Sequence, residues 1–291
     1  MYIQLAVECN CIRNRKLKPV PEEFRPYLRF DDNIIYLDYS GDAQAAAAGQ
    51  DKEQGISDEQ HEIIDPRWAE WLEHACEHEN GFHAYTGMIG PQNRLIPLIR
   101  VLQEMPDAGL QNLLSVVGCN DDLEIVPEQA AGCLVELYQF KSNFPRISGT
   151  VVKDEESGTV LDILIGDEVR SLYTSENYQV GCDRHGIWVT RHGSPGSLPE
   201  FLFHSAHFRQ DLLAFCTGLL IDKASGEYIE IGHPVFPKEN NSYPAEITIR
   251  FRELTPVDFS YLTDPYAKAF KASVETGNPV SIRCDRSAVD L

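Results

Sequence analysis

The sequence predicts an α+β fold, with helices mainly in the first half and antiparallel β-hairpins with two packed helices in the second. Three observations carry this. Residues 2–12 alternate with a period of two, Ile3, Leu5, Val7, Cys9 and Cys11 on one face and Gln4, Glu8 and Asn10 on the other, as in a half-buried strand. Between residues 65 and 138 apolar residues recur at helical spacing. After Phe144-Pro145, apolar runs come in pairs around short polar turns.

A second strand fits Asn33–Tyr39. Residues 41–60, GDAQAAAAGQDKEQGISDEQ, have Ile56 as their only large apolar side chain, so the stretch reads as a loop or insertion. Asp65-Pro66 predicts a helix start, with Asp as N-cap and Pro in the first turn, and Trp68, Trp71, Leu72 and Ala75 form its apolar stripe. Another helix fits Gln92–Glu104, with Pro97 delaying or kinking it, and a third starts at Pro127 with Ala130, Leu134, Leu137 and Tyr138 inward.

Hairpins are predicted for Val151–Ile165, for Tyr178–Cys182 with Ile187–Arg191, and for Leu219–Asp222 with Glu227–Ile231. Between the last two, Phe208, Leu212, Phe215 and Cys216 predict a helix. Ile247, Ile249 and Phe251 alternate as a strand, a helix starts near Asp264-Pro265, and a final strand fits Val280–Cys284. A boundary near 145 would separate a mixed domain, 1–145, from a β-rich one, 146–291. The expected core includes Leu5, Val7, Leu72, Leu134, Leu137, Phe208, Leu212, Ile247 and Ile249.

Walker and GxGxxG phosphate loops are missing from the sequence, as is a G-x-S-x-G elbow. The start of the chain, Met1–Glu8, has neither the basic nor the apolar region of a signal peptide, and the eight cysteines are too sparse for a disulfide scaffold. The expectation is a cytoplasmic protein whose cysteines, the Cys9-x-Cys11 pair included, serve as small core residues.

Net charge is −20 in 291 residues. Such a surface repels phosphate backbones and anionic lipid, which argues against nucleic acid and membrane as partners. The charge is concentrated: residues 31–79 hold fourteen acids against two bases, a balance of −12. A patch of this sign speeds encounter with a basic protein by roughly 10–10³-fold. Asp51, Glu53, Asp58, Glu59, Glu62, Glu70 and Glu73 are its candidate partner-binding residues. The expectation is a non-catalytic module, an inhibitor or immunity-type protein that neutralises a basic partner such as a toxin.

The alternative rests on His74-Ala75-Cys76-Glu77-His78. Over these five residues the chain resembles the inverted zincin motif, H-x-x-E-H, of the insulin-degrading and mitochondrial-processing peptidases. The resemblance implies a zinc hydrolase with His74 and His78 as ligands, Glu77 as general base on the bound water, and Glu155 or Glu156 as third ligand. At 100° per residue, however, Glu77 falls almost opposite the Trp68, Leu72 and Ala75 stripe, which would place the base in solvent. The non-catalytic reading is therefore preferred, with no cofactor, and zinc belongs to the alternative.

Overall fold

The computed structural model describes residues 2–31, 34–38, 58–78, 81–105, 109–119, 121–191, 200–213, 217–238 and 242–285. Within them lie five α-helices and sixteen strands, and every paired strand is antiparallel. The α+β class holds. None of these helices is long and apolar enough to cross a membrane.

Strand β1 (Tyr2–Glu8) follows the predicted alternation, burying Ile3, Leu5 and Val7. It lies inside a four-stranded sheet of order β4-β1-β16-β5, with β4 at His83–Pro91, β5 at Leu123–Ile125 and β16 at Val280–Asp285. One face of this sheet is covered by α2 (Ile96–Gln103), α3 (Gln111–Val117), α4 (Pro127–Ser142) and α5 (Ser260–Thr276). Leu98, Val101, Leu113, Val117, Cys133, Leu137, Phe140, Tyr266 and Phe270 fill the space between.

The second half is a sandwich. A six-stranded sheet of order β14-β13-β12-β15-β6-β7 packs on a four-stranded one, β11-β10-β9-β8. In chain order the strands are β6 (Ser148–Asp154), β7 (Val160–Ile165), β8 (Arg170–Thr174), β9 (Tyr178–Asp183), β10 (Gly186–Arg191), β11 (Glu200–Ser205), β12 (His207–Leu212), β13 (Gly218–Asp222), β14 (Tyr228–Ile231) and β15 (Glu246–Glu253). Val152, Phe208, Leu220, Ile247 and Ile249 from the larger sheet meet Val180, Ile187, Val189 and Phe203 from the smaller. The three predicted hairpins are present. On β15 Ile247 and Ile249 are buried as expected, but Thr248 is buried between them and Phe251 is 42% exposed, so the alternation does not extend along the strand.

The β6–β7 hairpin is a wall common to both cores. Val151 and Ile163, opposite one another, face the helices, whereas Val152, Leu161 and Leu164 face the sandwich. Helix α5 and strand β16 then return to the N-terminal sheet. The packing therefore does not divide at 145, because the last elements complete the first layer.

Four local expectations are corrected. The segment predicted as a helix through Phe208 and Leu212 is strand β12, and Phe215 and Cys216 lie outside the described residues. Its alternation is hidden by a buried glutamine: Gln210 donates to Val235 O (3.0 Å) and Pro244 O (2.8 Å) and accepts from Val235 N (3.0 Å). Leu212, at the strand end, is 60% exposed. One α-helix, not two, therefore packs in the second half of the described chain. Helix α1 spans Asp58–His74, so Pro66 lies inside it instead of at its start. On α4, Cys133 and Phe140 take the inward places, while Tyr138 is 64% exposed and Leu134 half-buried.

A smaller layer joins the first sheet. Phe24 lies edge-on to Trp68 of α1 at 5.3 Å, Trp68 stacks on Trp71 at 4.9 Å, and the β2–β3 hairpin (Leu28–Asp31, Ile34–Leu37) follows Phe24 in the chain. Asn33 and Tyr39, and residues 41–57 of the predicted loop, lie outside the described residues; 58–60 open α1.

Two predictions follow from this packing. Phe270→Ala, at a fully buried site, should lower stability by about 3–5 kcal/mol in urea unfolding, whereas Tyr138→Ala should change it by no more than about 0.5 kcal/mol. Asp258 gives a pH dependence. Burial pushes its carboxyl up, but Arg252 (2.8 Å), Thr255 N (2.8 Å) and Thr255 Oγ1 (3.0 Å) outweigh burial and hold it below the usual range. This stabilisation is complete above the unfolded value of about 3.9 and disappears as pH falls through the lower folded value. Asp258→Asn should therefore lose about 1 kcal/mol at neutral pH, and its difference from the parent should close as the pH drops below about 4.

Candidate metal centre

Four side chains from two distant segments converge beside the end of β1. Cys9 follows β1 directly, its N–H donating to Phe82 O at 2.8 Å just before β4. Cys11 lies in the turn beyond, closed by Asn14 N to Asn10 O (2.8 Å), Arg15 N to Ile12 O (3.0 Å) and Lys16 N to Cys11 O (2.9 Å). Arg15 adopts a left-handed φ of 51°, which lets the chain fold back. Asn278, after α5, braces the turn by donating to Glu8 O (2.8 Å) and Asn10 Oδ1 (3.0 Å).

The other two come from the end of α1. The helix stops at His74, and Ala75–His78 is a bend, pinned where Lys18 N donates to Ala75 O at 2.8 Å. Cys76 and His78 point to the β1 side. Cys9 Sγ is 3.6 Å from Cys76 Sγ, Cys11 Sγ is 3.5 Å from His78 Nδ1, and Cys76 Sγ is 2.8 Å from the same nitrogen. All four donor atoms lie within 4.8 Å of one another.

Two of these separations, 3.6 Å and 3.5 Å, match a tetrahedral metal, whereas the 2.8 Å Cys76–His78 contact is a hydrogen bond that metal binding would replace and lengthen. With Zn–S near 2.3 Å and Zn–N near 2.0–2.1 Å, the edges of such a tetrahedron are about 3.8 Å for S···S and about 3.5 Å for S···N. The donor set, three thiolates and an imidazole, is one that zinc takes in structural sites.

The electrostatics point the same way. Burial pushes the Cys9 thiol up, and burial with the neighbouring thiols pushes Cys11 up to about 12. Burial also opposes ionisation of Cys76, but hydrogen bonds from the His78 ring and backbone, then from Cys11 and Cys9, bring it down to about 7. The protein by itself thus supports one negative sulfur. Ionising all three within this space requires a cation among them.

The residues singled out in the sequence are distributed differently. His78 is in the cluster. His74 and Glu77 are exposed and outside it, and the helical i, i+4 arrangement of His74 and His78 does not form because α1 ends between them. Glu155 accepts a hydrogen bond from Thr248 Oγ1 in the sandwich and is not among the cluster residues. Of the acidic residues, Glu70 and Glu73 are exposed on α1. Asp58, Glu59 and Glu62 are on the same helix with side chains outside the described set, and Asp51 and Glu53 lie outside the described residues altogether.

Two C-x-C/H half-sites, Cys9-x-Cys11 and Cys76-x-His78, were the available signal. In an alternating run Cys9-x-Cys11 has the pattern of a core pair on a strand, and Cys76-x-His78 overlaps the five-residue zincin pattern.

Elsewhere, polar groups that suggest catalysis are committed to other partners. Ser205 Oγ lies 2.6 Å from Asp222 Oδ2, and His207 Nε2 is 2.6 Å from Glu246 Oε1, so hydroxyl and imidazole each face a different carboxylate. A cavity of about 510 Å³ between β6, β15 and the start of α5 has Lys153, Arg252, Asp258 and Tyr261 in its lining, but neither Cys nor His. Comparison with protein-family models, curated proteins and solved structures finds no match for this chain, so its chemistry is read from its own residues.

The cluster predicts about one zinc per chain by elemental analysis of protein purified without chelator. Cys76→Ser should lose tight binding, and His74→Ala should keep it, the reverse of what the five-residue motif requires.

Proposed function

We propose that this chain is a non-catalytic binding protein in which a Cys9, Cys11, Cys76 and His78 zinc centre fixes α1, and α1 offers an acidic surface to a basic protein partner. The observation that carries this reading is the closed donor set at the foot of α1. Four protein ligands complete a tetrahedron, whereas hydrolytic zinc keeps one position for water. The zinc hydrolase built on His74, His78 and Glu77 is therefore disfavoured.

The charge of α1 supports the other half of the proposal. Glu70, Glu73 and Glu77 are exposed. The one base in this stretch, Arg67, is neutralised by Glu23 at 2.7 Å. A rigid helix dense in acids suits a basic surface such as that of a toxin held by an immunity-type inhibitor, and its attraction would be screened over about 10 Å at 0.1 M salt.

The test is a pull-down from the native host with three proteins: the parent chain, Glu70→Lys/Glu73→Lys, and Cys76→Ser. A stoichiometric basic protein held by the parent at low salt, weakened at high salt and lost with the lysine variant is the expected result. A partner that binds the lysine variant equally well, or no basic partner at all, would refute the acidic-surface reading.

A further inference from the structure

The three cysteines of the metal centre are not equivalent, and their placement bears on how the site responds to oxidation. This inference rests on the zinc reading above. Cys9 and Cys76 are both buried, with 3.6 Å between their sulfurs. Both sit on or beside hydrogen-bonded backbone: Cys9 donates to Phe82 O, and Cys76 follows Ala75, whose carbonyl accepts from Lys18 and whose N–H donates to Leu72 O at 3.3 Å. Cys11 lies in the turn and, like His78, is half-exposed.

We infer that the centre is a staple with two alternative closures: zinc bound by all four residues under reducing conditions, and a Cys9–Cys76 disulfide, with the metal released, after oxidation by a hydroperoxide. A sulfur–sulfur bond of about 2.05 Å needs the two Sγ atoms to close by about 1.5 Å, a movement that side-chain rotation supplies. Cys9 and Cys11 are separated by one residue, so a bridge between them would close a small strained ring. A bridge from Cys11 to Cys76 is the competing closure, since those sulfurs also lie within 4.8 Å, but Cys11 is the least buried of the three thiols, so a link that includes it is the more open to exchange. Exchange among three neighbouring thiols therefore ends at the buried pair.

The redox balance is simple. One thiolate attacks a peroxide oxygen, the O–O bond breaks, and a sulfenic acid forms as hydroxide departs and is protonated. The second thiolate attacks that sulfur, the S–S bond forms, and the sulfenic oxygen leaves as a second water. The two sulfurs together give up two electrons, hydrogen peroxide takes them, and two protons are consumed. Zinc stays Zn²⁺ throughout. It departs because Cys11 and His78 alone are left to hold it.

Either closure ties the end of β1 to the end of α1 across 67 residues of sequence. The layer of α1 and the β2–β3 hairpin therefore stays docked in both states, and the cysteine and histidine freed by oxidation are the two already half-exposed. Metal loss without oxidation gives a third state in which nothing covalent or coordinate closes the loop.

The experiment uses the full chain, loaded with zinc, with metal counted before oxidant is added. That count judges the zinc reading by itself: a chain that holds no zinc refutes that reading without bearing on which disulfide forms. Hydrogen peroxide is then titrated while a metallochromic dye follows release, and alkylated protein is digested without reductant for mass spectrometry. About one zinc released per disulfide, a Cys9–Cys76 linked peptide, and recovery of zinc binding after dithiothreitol are expected. Emission from Trp68 and Trp71 should be retained in the oxidised protein and altered in reduced protein stripped by chelator.

The Cys11→Ser variant, which leaves both bridge partners in place, should still form the Cys9–Cys76 link. A dominant Cys9–Cys11 or Cys11–Cys76 link, sulfinic acid without a disulfide, or retention of zinc through the titration would overturn the inference.

Discussion

Strand β1 is paired along nearly its whole length on both sides, with β16 on one and β4 on the other. Much else depends on this double pairing. It buries Ile3, Leu5 and Val7 beneath four helices, and it brings the last described strand against the first. It also fixes the point at which the chain leaves the sheet. Cys9 is the first residue beyond β1, and its own N–H is held by the residue that leads into β4. A cysteine in that position has little freedom, and Cys76 and His78 are delivered to it by the descent of α1. The candidate metal centre thus sits at the corner of a paired sheet, where a small error in ligand placement would cost binding.

That corner serves the layer of α1. Among the described residues, its buried apolar side chains are Ile12, Phe24, Ile35 and Ala75, with the thiols of Cys9 and Cys76 beside them. The Trp68 and Trp71 rings stack at its edge, and Trp71 Nε1 reaches Pro19 O at 3.3 Å. In the proposed zinc form, four metal–ligand bonds would link segments far apart in sequence and add to the hold of this layer, since binding free energy at such a site is also folding free energy. The main core, with Phe140, Phe259, Tyr266 and Phe270 at its centre, contains none of the four donor residues.

Legibility in the sequence follows the same division. Period-two alternation in β1, and the polar turns of the three hairpins, come from local rules and are readable in the sequence. Helix α4 was readable at its start, where Pro127 opens it, but the inward face was misplaced because Tyr138 looks apolar and its ring lies in solvent. Strand β12 was lost to one residue: a buried Gln210 satisfied by Val235 and Pro244 breaks a binary pattern that assumes polar means exposed. The interleaving of the two halves was not local at all, because no short-range signal records that β16 pairs with β1. The candidate site was half legible. His78 was flagged, but by a helical spacing that the end of α1 abolishes, and Cys9 and Cys11 were assigned to the core, where isolated cysteines usually belong. Recognising two half-sites required knowing that residues 9–11 and 76–78 meet.

Charge links the centre to the surface above it. Three thiolates and a neutral imidazole around Zn²⁺ leave one net negative charge, in a segment that already carries a balance of −12. A cation of higher charge or lower affinity for sulfur would suit the donor set less well. Without the metal, Cys9 and Cys11 stay protonated and Cys76 alone ionises near neutrality, so the metal-free corner adds at most one negative charge to this segment. In the proposed zinc form the centre would fix the geometry of the acidic surface. A surface rigid before encounter spends none of its attraction on ordering itself, and a closed tetrahedral site would provide that rigidity without introducing a reactive open position.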